Sequence, residues 1–317
     1  MPELWIFSEG DLQRGLGHLT RCSAYASAWR GQGGKVNWVV DGDNTAKNLL
    51  RNESVIWRSW QQELITDTHA AVAIVDSYSV TSDVLKSIAD RFVRVIYLDD
   101  TKRLSYPKGL VIHAALGENQ SIADDAEWVF GAEWQPLRPA FWDLPPRELI
   151  SEQIERILIL MGGTDIRKLT PIMHQLAHNI YPHAEIHTII SNHNTLTKLP
   201  QTILHHQLND KEIAALMCHC DIAISAAGQT TCELARCGLP SVLVGVADNQ
   251  KEQLRIWTED SLFMYGGWWN DPELMTQVSS QLQALSDQNT RQLRAAILLS
   301  KIDGKGTMRA VTWLSQC

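Results

Sequence analysis

Short apolar runs rich in β-branched residues alternate with helical patterns along most of this sequence, and that alternation constrains the fold more than any other feature. It is typical of parallel α/β units, in which a helix connects each strand to the next. Helices are expected between the runs, for example over residues 18–30 and 82–91. The runs predict strands at residues 4–7, 36–40, 71–75 and 93–98 in the first half and at 157–161, 186–190, 222–225 and 241–244 in the second.

A proline-rich stretch separates the two series of strands. Pro136, Pro139, Pro145 and Pro146 stand close together, and prolines at that density break helices and central strands. The length of 317 residues also fits two domains of ordinary size. We therefore predict an N-terminal domain at residues 1–145, a C-terminal domain at 146–317, and a site in the cleft between them.

The net charge, the N-terminal sequence and the lengths of the apolar stretches limit the partners and the location that we expect. A formal net charge of −8 argues against a nucleic-acid partner, because nucleic-acid binders normally carry a basic surface. It does not exclude a nucleotide, since backbone amides can hold phosphate. The N-terminus lacks the pattern of a signal peptide, and no apolar stretch is long enough for a membrane span. We expect a cytoplasmic protein with reduced cysteines, and the oligomeric state is left open.

The strongest local signal is the sequence that follows the predicted strand at 222–225. Ala227 and Gly228 are small enough for a ligand to approach the backbone, and a helix is expected to start near Thr230. Together with Gln229 they predict a phosphate cradle, because a helix N-terminus offers N–H groups and a positive dipole end. Glu233, one turn into that helix, could accept hydrogen bonds from ribose hydroxyls. The alternative is a tight strand–helix turn without a ligand.

Two further segments in the same half follow predicted strands. Gly162 and Gly163 form a second candidate cradle, and both cradles point to the carboxyl edge of one parallel sheet, where α/β proteins bind ligands. Asn249 and Gln250 follow the strand at 241–244 and carry amides suited to sugar hydroxyls or phosphate. An ordinary helix cap is the alternative for this last segment.

The third glycine-bearing turn lies in the N-terminal half. Gly15 and Gly17 permit a tight loop after the first strand, and His18 then stands at the start of the first helix. The positive end of a helix dipole favours a neutral imidazole. A neutral histidine can take a proton from water, so His18 is the candidate catalytic base. A capping or packing histidine is the alternative.

Other short motifs do not support a metal or cofactor. The segment 41–43 reads Asp-Gly-Asp, which fits the metal-binding D-x-D pattern but has ordinary turn chemistry. Residues 218–220 read Cys-His-Cys without a second ligand pair at zinc-finger spacing, and they lie in a helical pattern. The glycine loop at 15–17 lacks the third glycine of a dinucleotide site. We therefore predict no metal and no cofactor.

Taken in order, these motifs resemble the UDP-2,4-diacetamido-2,4,6-trideoxy-β-L-altropyranose hydrolase family of the pseudaminic acid pathway. More distantly, they resemble the peptidoglycan UDP-GlcNAc transferase. The resemblance runs over most of the chain. The matching positions are residues 15–18 with Arg21 and Cys22, 75–78, 98–100, Gly131, 137–139 with Phe141, 162–165, 224–233, 238–240, 247–250 and 303–306 with Arg309.

The resemblance implies an α/β protein with the GT-B fold: two Rossmann-like domains, UDP in the C-terminal one, and a last helix that packs back on the N-terminal one. A histidine at the position of His18 is thought to assist water attack at the anomeric carbon in that family. Tyr78 and Asn249 match substrate-binding positions, and we place Gly17, Arg21 and Gln250 with them.

Two departures from the family pattern concern the ligand. The family usually has a second glycine where this chain has Ala227 and a serine where it has Gln229. Residues 112–115 read Ile-His-Ala-Ala where the family usually shows Asp-Gln-Asn, which leaves the sugar open. We predict a hydrolase that releases UDP from an activated amino sugar in nonulosonic acid or surface-glycan biosynthesis. A glycosyltransferase that moves the sugar to an acceptor is the alternative, and a non-catalytic UDP-sugar binding protein is the third reading.

Overall fold

The computed structural model describes residues 1–61, 71–115, 122–145, 147, 150–162, 165, 167–190, 196, 199–259 and 262–316. The strands are β1 (Leu4–Gly10), β2 (Val36–Gly42), β3 (Val55–Trp57), β4 (Val72–Asp76), β5 (Arg94–Leu98), β6 (Leu110–His113), β7 (Glu127–Phe130), β8 (Arg156–Leu160), β9 (Glu185–Ile189), β10 (Thr202–His205), β11 (Ile222–Ala226), β12 (Ser241–Gly245) and β13 (Met264–Trp268). The α-helices are α1 (Gly17–Gly31), α2 (Asn44–Leu49), α3 (Ser82–Ala89), α4 (Thr170–Ile180), α5 (Asp210–His219), α6 (Thr230–Arg236), α7 (Lys251–Thr258), α8 (Leu274–Ala284), α9 (Gln288–Lys301) and α10 (Gly306–Ser315).

The strands that the apolar runs predicted are all present, with ends that differ by a few residues. Strands β3, β6, β7, β10 and β13 were not predicted. They are short, and β13 contains two adjacent glycines, which weaken the local preference for a strand. These segments become strands because pairing with their neighbours in the sheet satisfies their backbone hydrogen bonds. Their own sequences do not predict that pairing.

The chain divides into two compact units, and the first comprises Met1–Trp142 with Gly304–Cys317. Its sheet has seven parallel strands in the order β3-β2-β1-β4-β5-β6-β7. The strand order therefore reverses direction between β1 and β4. In doubly wound sheets the carboxyl ends of the strands at this switch point form the usual ligand site.

The second unit comprises Asp143–Asp303. Its sheet has six parallel strands in the order β10-β9-β8-β11-β12-β13, so its switch point lies between β8 and β11. The division between the units falls in the proline-bearing stretch in which we predicted a boundary. The last helix is assigned by its contacts to the first unit. The predicted range 146–317 included this helix, with the expectation that it packs back on the N-terminal domain.

Helix α10 completes the first unit by packing on α1. Its first residue, Gly306, lies so close to the chain at 134–135 that an added Cβ would stand 2.4 Å from the carbonyl oxygen of Gln135. Ala310, Val311 and Leu314 bury their side chains in the same core as the central strands. Any larger residue at Gly306 would push α10 away from this core. No helix in the described part of the chain has both the length and the apolar composition that a membrane span requires.

Candidate active site

The site in the first unit starts from the two strands at its switch point. The turn after β1 ends at Gly17, where α1 begins, and places His18 in the first turn of that helix. Asp76 is the last residue of β4, which pairs directly with β1. Their side chains therefore meet, with 2.6 Å between His18 Nδ1 and Asp76 Oδ1, although 58 positions separate them in the sequence. Both are buried, His18 at 7% and Asp76 at 0% exposure.

The surroundings of Asp76 keep its carboxylate charged. Burial alone would raise the pKa of Asp76, but the Arg21 guanidinium and His18 beside it hold that pKa well below the usual carboxyl range. A charged carboxylate can only accept hydrogen bonds, so the proton in the short contact belongs to His18 Nδ1. In the neutral imidazole, Nε2 is then the nitrogen that can accept a proton. The pair has the arrangement of a histidine base oriented by a carboxylate.

Arg21 connects this pair to a second acidic residue. It lies one turn after His18 on α1 and donates to Asp76 through Nε at 2.5 Å and Nη2 at 2.6 Å. Its Nη1 donates to Asp100 Oδ2 at 2.5 Å. Asp100 follows β5, the strand next to β4 in the sheet. The predicted substrate-binding role of Arg21 stays a prediction, and the contacts show that its guanidinium orders two carboxylates.

Tyr78 lies against the imidazole ring of His18. The ring centroids of His18 and Tyr78 are 4.5 Å apart at an angle of 83°, which is an edge-to-face arrangement. The phenol donates to Asp100 Oδ2 at 3.2 Å, and the residue is 42% exposed. Burial and the charge of Asp100 raise the pKa of Tyr78, so the hydroxyl remains a donor at neutral pH. The structure thus brings together three of the predicted residues, His18, Arg21 and Tyr78.

Glu9 is an important residue that the sequence analysis missed. It is 1% exposed near the end of β1, and its Oε1 accepts from the backbone N–H groups of Tyr78 at 2.8 Å and Ser79 at 3.2 Å. Its Oε2 accepts from the Ser79 hydroxyl and from Arg14 Nη1 at 3.2 Å. Glu9 therefore fixes the turn that carries Tyr78. One feature of the sequence could have identified Glu9. Like Asp76, it is a carboxylate residue near the end of an apolar strand.

The Asp-Gly-Asp segment has a structural role. Asp43 caps α2 by accepting from the N–H groups of Thr45 at 2.8 Å and Ala46 at 3.2 Å. Asp41 accepts from Arg14 Nη2 at 3.3 Å. The segment is not the short loop that we predicted, because Asp41 and Gly42 are the last residues of β2 and Asp43 directly precedes α2. Among the described residues, no group of three or more His, Cys, Asp or Glu side chains has a geometry that could hold a metal ion.

The candidate nucleotide loops of the second unit also follow the strands at its switch point. Ala227 and Gly228 come directly after β11, and Gly162 comes two residues after β8. Gly162 has φ +89°, a conformation that favours glycine, and an added Cβ there would meet no atom within 4 Å. The Gln250 side chain lies beside Gly228, where an added Cβ would stand 3.6 Å from Gln250 Nε2. The structure therefore brings Gln250 to the predicted phosphate turn.

Side-chain and backbone contacts hold these loops next to one another. Gln250 Oε1 accepts from the N–H of Val246 at 3.0 Å. Arg167 Nε donates to the Val246 carbonyl oxygen at 3.1 Å, and its guanidinium stands 3.9 Å from the centre of a Trp269 ring. The segments that follow β8, β12 and β13 thus meet at the carboxyl edge of this sheet.

Two predicted residues lie outside the described part of the structure, namely Gly163 and the side chain of Asn249. The second candidate cradle also differs from the expectation that a helix follows it at once. Helix α4 begins only at Thr170, and Asp165 already accepts from the N–H groups of Leu169 at 2.9 Å and Thr170 at 3.0 Å. The first turn of α4 is therefore capped by the protein itself.

The first candidate cradle keeps the predicted geometry more closely. Helix α6 begins at Thr230, directly after the Ala227–Gln229 turn. Gly228, Gln229 and Thr230 are half-buried, whereas Glu233 is 4% exposed. Glu233 thus lies inside the unit, one turn along α6, and its contact with ribose stays a prediction.

Comparison with curated proteins finds a similar sequence in Helicobacter pylori. A Helicobacter pylori (strain ATCC 700392 / 26695) protein is named pseudaminic acid cytidylyltransferase and UDP-2,4-diacetamido-2,4,6-trideoxy-beta-L-altropyranose hydrolase. It is 27% identical to this chain over 252 residues, which cover 77% of this chain and 44% of the relative. The chain therefore spans less than half the length of the relative it matches. No family model matches the sequence.

Solved structures resemble the whole chain. MurG of Acinetobacter baumannii has a TM-score of 0.65 at 13% identity, with 100% of both chains covered. The glycosyltransferase of kitacinnamycin has a TM-score of 0.66 at 12% identity, with 98% of both chains covered. The Streptomyces sp. SF2575 glycosyltransferase SsfS6, solved with thymidine diphosphate, has a TM-score of 0.61 at 12% identity and 99% coverage of both chains. At these identities the likeness establishes the fold.

The two sheets with reversed strand order agree with these neighbours, which are GT-B glycosyltransferases. The predicted α/β class and the GT-B fold are confirmed. This chain is a GT-B protein of two Rossmann-like units, and its sequence resembles the UDP-2,4-diacetamido-2,4,6-trideoxy-β-L-altropyranose hydrolases.

Proposed function

We propose that this protein is a hydrolase that cleaves a UDP-activated amino sugar at the anomeric carbon and releases UDP and the free sugar. The observation that carries the proposal is the buried His18–Asp76 pair, with 2.6 Å between Nδ1 and Oδ1. The name of the Helicobacter pylori relative, which includes a UDP-sugar hydrolase, supports the substrate class. The same relative supports a role in pseudaminic-type nonulosonic acid biosynthesis.

The residues present account for a direct attack by water. Asp76 holds the His18 proton on Nδ1, so Nε2 is available to take a proton from a water molecule as its oxygen bonds to the anomeric carbon. The bond between that carbon and the UDP oxygen breaks, and the electron pair leaves with UDP. Attack on the face opposite the leaving group inverts the anomeric configuration. Tyr78, held by Glu9, is proposed to orient the sugar.

The second unit is proposed to hold UDP. Gly228 is half-buried at the switch point of its sheet, and the Gln250 side chain lies beside it. Gly162 adds an open backbone position after β8. The N–H groups of Ala227 and Gly228 already donate to the carbonyl oxygens of Val244 and Ala226. We therefore propose that the turn at residues 228–230, at the start of α6, and the open backbone at Gly162 stabilise the charge that develops on the departing diphosphate. Thymidine diphosphate in a structural neighbour supports a nucleoside diphosphate as ligand.

A panel of UDP-sugars tests the proposal directly. The protein is incubated with each UDP-sugar in the absence of any acceptor, and free UDP is measured over time. UDP-2,4-diacetamido-2,4,6-trideoxy-β-L-altropyranose should be cleaved, with water as the only acceptor. Failure of every UDP-sugar to release UDP without an added acceptor would favour the glycosyltransferase alternative. We retain this alternative because glycosyltransferases are among the structural neighbours.

UDP binding is expected to need no divalent metal, because the proposed phosphate contacts come from the protein backbone and uncharged side chains, and Glu233 is proposed to bind the ribose. Isothermal titration calorimetry with UDP in buffer containing EDTA checks this expectation. The dissociation constant should be the same after magnesium or manganese is added in excess of the chelator. Binding that disappears in EDTA and returns with the metal would contradict it.

Glu233→Ala is expected to weaken UDP binding by about 1.5–3 kcal/mol, the range for hydrogen bonds to a charged group. The reason is the loss of a carboxylate that accepts from the ribose hydroxyls. Calorimetry with UDP measures the change, and thermal unfolding checks that the variant is folded. Glu252→Ala, on the exposed side of α7, is the matched control and should bind UDP normally. An unchanged dissociation constant in a folded Glu233→Ala or Glu233→Gln variant would show that Glu233 has another role.

A further inference from the structure

Two thiols in the second unit are neighbours although they belong to the ends of different helices. Cys218 lies in the last turn of α5, and Cys237 caps the C-terminus of α6. Each thiol lies close enough to shift the pKa of the other, and both are free thiols. Cys218 is exposed to solvent, whereas Cys237 is 3% exposed. An accessible thiol therefore stands directly in front of a protected one.

One guanidinium fixes the backbone of both cysteines. Arg147 donates through Nη2 to the Cys218 carbonyl oxygen at 3.2 Å and through Nε to the Cys237 carbonyl oxygen at 3.1 Å. It also donates to the carbonyl oxygens of Met217 at 2.8 Å and Cys220 at 2.9 Å. The ends of α5 and α6 are thus held on the same cation.

The electrostatic surroundings distinguish Cys218 from its neighbours. The hydrogen bond from the Cys237 thiol lowers the pKa of Cys218 to about 7, with Arg147 and Arg236 acting in the same direction and burial acting against it. Cys218 is therefore more readily converted to the thiolate, the form that reacts as a nucleophile, than an ordinary cysteine. Burial has the opposite effect on Cys220 and raises its pKa to about 12.

We propose that Cys218 and Cys237 form a peroxide-sensitive dithiol that closes to a reversible disulfide. The Cys218 thiolate attacks one oxygen of a hydroperoxide, the O–O bond breaks, and a sulfenic acid forms on Cys218 as water or an alcohol leaves. The Cys237 sulfur then attacks the sulfenic sulfur. The S–S bond forms, the S–O bond breaks, and the Cys237 proton leaves with the hydroxide as water. Two thiols are oxidised, one peroxide is reduced, and a thiol reductant restores the starting state.

The test uses the full chain and hydrogen peroxide, so it needs no substrate and is independent of the proposed function. The protein is treated at pH 7, the remaining thiols are alkylated, and peptides are mapped by mass spectrometry. Two thiols per chain should be lost, a Cys218–Cys237 cross-linked peptide should appear, and dithiothreitol should remove it. Cys220→Ser is the matched control on the same segment and should form the disulfide normally.

Two variants separate the steps. Cys218→Ser, an exposed position, should abolish the loss of thiol at Cys237. Cys237→Ser should stop the reaction at a Cys218 sulfenic acid, which dimedone traps. The proposal is overturned if the native protein keeps both thiols, or if Cys218 passes to sulfinic acid while Cys237 remains a thiol. Peptide mapping of the native protein decides this point even if Cys237→Ser fails to fold.

Discussion

His18→Asn should lower the turnover of UDP-sugar hydrolysis by about 10²–10⁴-fold, the usual contribution of a positioned general base. Asparagine can keep a hydrogen bond to Asp76, but it offers no basic nitrogen in place of Nε2. UDP affinity should not change, because the residues proposed to hold the nucleotide belong to the other unit. The measurements are the turnover number and the UDP dissociation constant, made on the same folded preparation.

The outcome of this experiment distinguishes three roles for His18. His183→Asn, at an exposed position of the second unit, is the control and should retain normal turnover. A His18→Asn variant with near-normal turnover but weak UDP binding would reassign His18 to nucleotide binding. A variant that loses its fold would show that the histidine serves packing, in keeping with its 7% exposure.

Asp76→Asn is expected to lower the free energy of unfolding by about 3–5 kcal/mol at neutral pH, the cost of breaking a buried ion pair by removing one partner. Asp76 is fully buried and accepts from His18 Nδ1 and from Nε and Nη2 of Arg21. The neutral amide leaves the Arg21 charge without its fully buried counter-ion. It also removes the acceptor that fixes the imidazole tautomer, so turnover should fall as well. Urea unfolding measures the stability of both proteins.

The pH dependence of this difference gives a second measurement. Because the folded protein lowers the pKa of Asp76, its carboxylate stabilises the fold at every pH above the ordinary unfolded value of about 4. That contribution is lost progressively as the pH falls below about 4 toward the lower pKa of the folded state. The stability difference between the native protein and Asp76→Asn should therefore be constant near neutral pH and shrink in acid. A difference that stays the same down to pH 3 would contradict the ion-pair explanation.

Asp100→Asn is the matched control for the same guanidinium. Asp100 accepts from Arg21 Nη1, but its side chain is 34% exposed, so solvent screens the pair. Its substitution should cost no more than about 1 kcal/mol, as is usual for a pair that water reaches. An equal loss of stability in the two variants would mean that burial does not decide the energetics of this network.

The local features of the site were predictable because short segments determine them. The glycine loop at 15–17 and the start of α1 follow from a strand, small residues and a helical pattern within a few positions. The Ala227–Gln229 turn before α6 follows from the same pattern. The alternation of strands and helices likewise predicted two parallel sheets. Each of these inferences needs only hydrogen bonding and packing between near neighbours in the chain.

The partners of those residues were decided by the tertiary structure. His18 meets Asp76 across 58 positions, Tyr78 meets Glu9 across 69, and Arg21 meets Asp100 across 79. Such pairs depend on the order of strands in the sheet, which places the ends of β1, β4 and β5 next to one another.

The sequence by itself determined the two α/β halves and the glycine turns, because the periodicity of apolar residues and the backbone freedom of glycine act locally. The tertiary structure decided which carboxylate orients His18 and which thiol faces Cys218. Burial and charge at these positions arise only when distant segments pack together. The sequence therefore shows which chemical groups are present, whereas the fold decides the protonation state and the partner of each group.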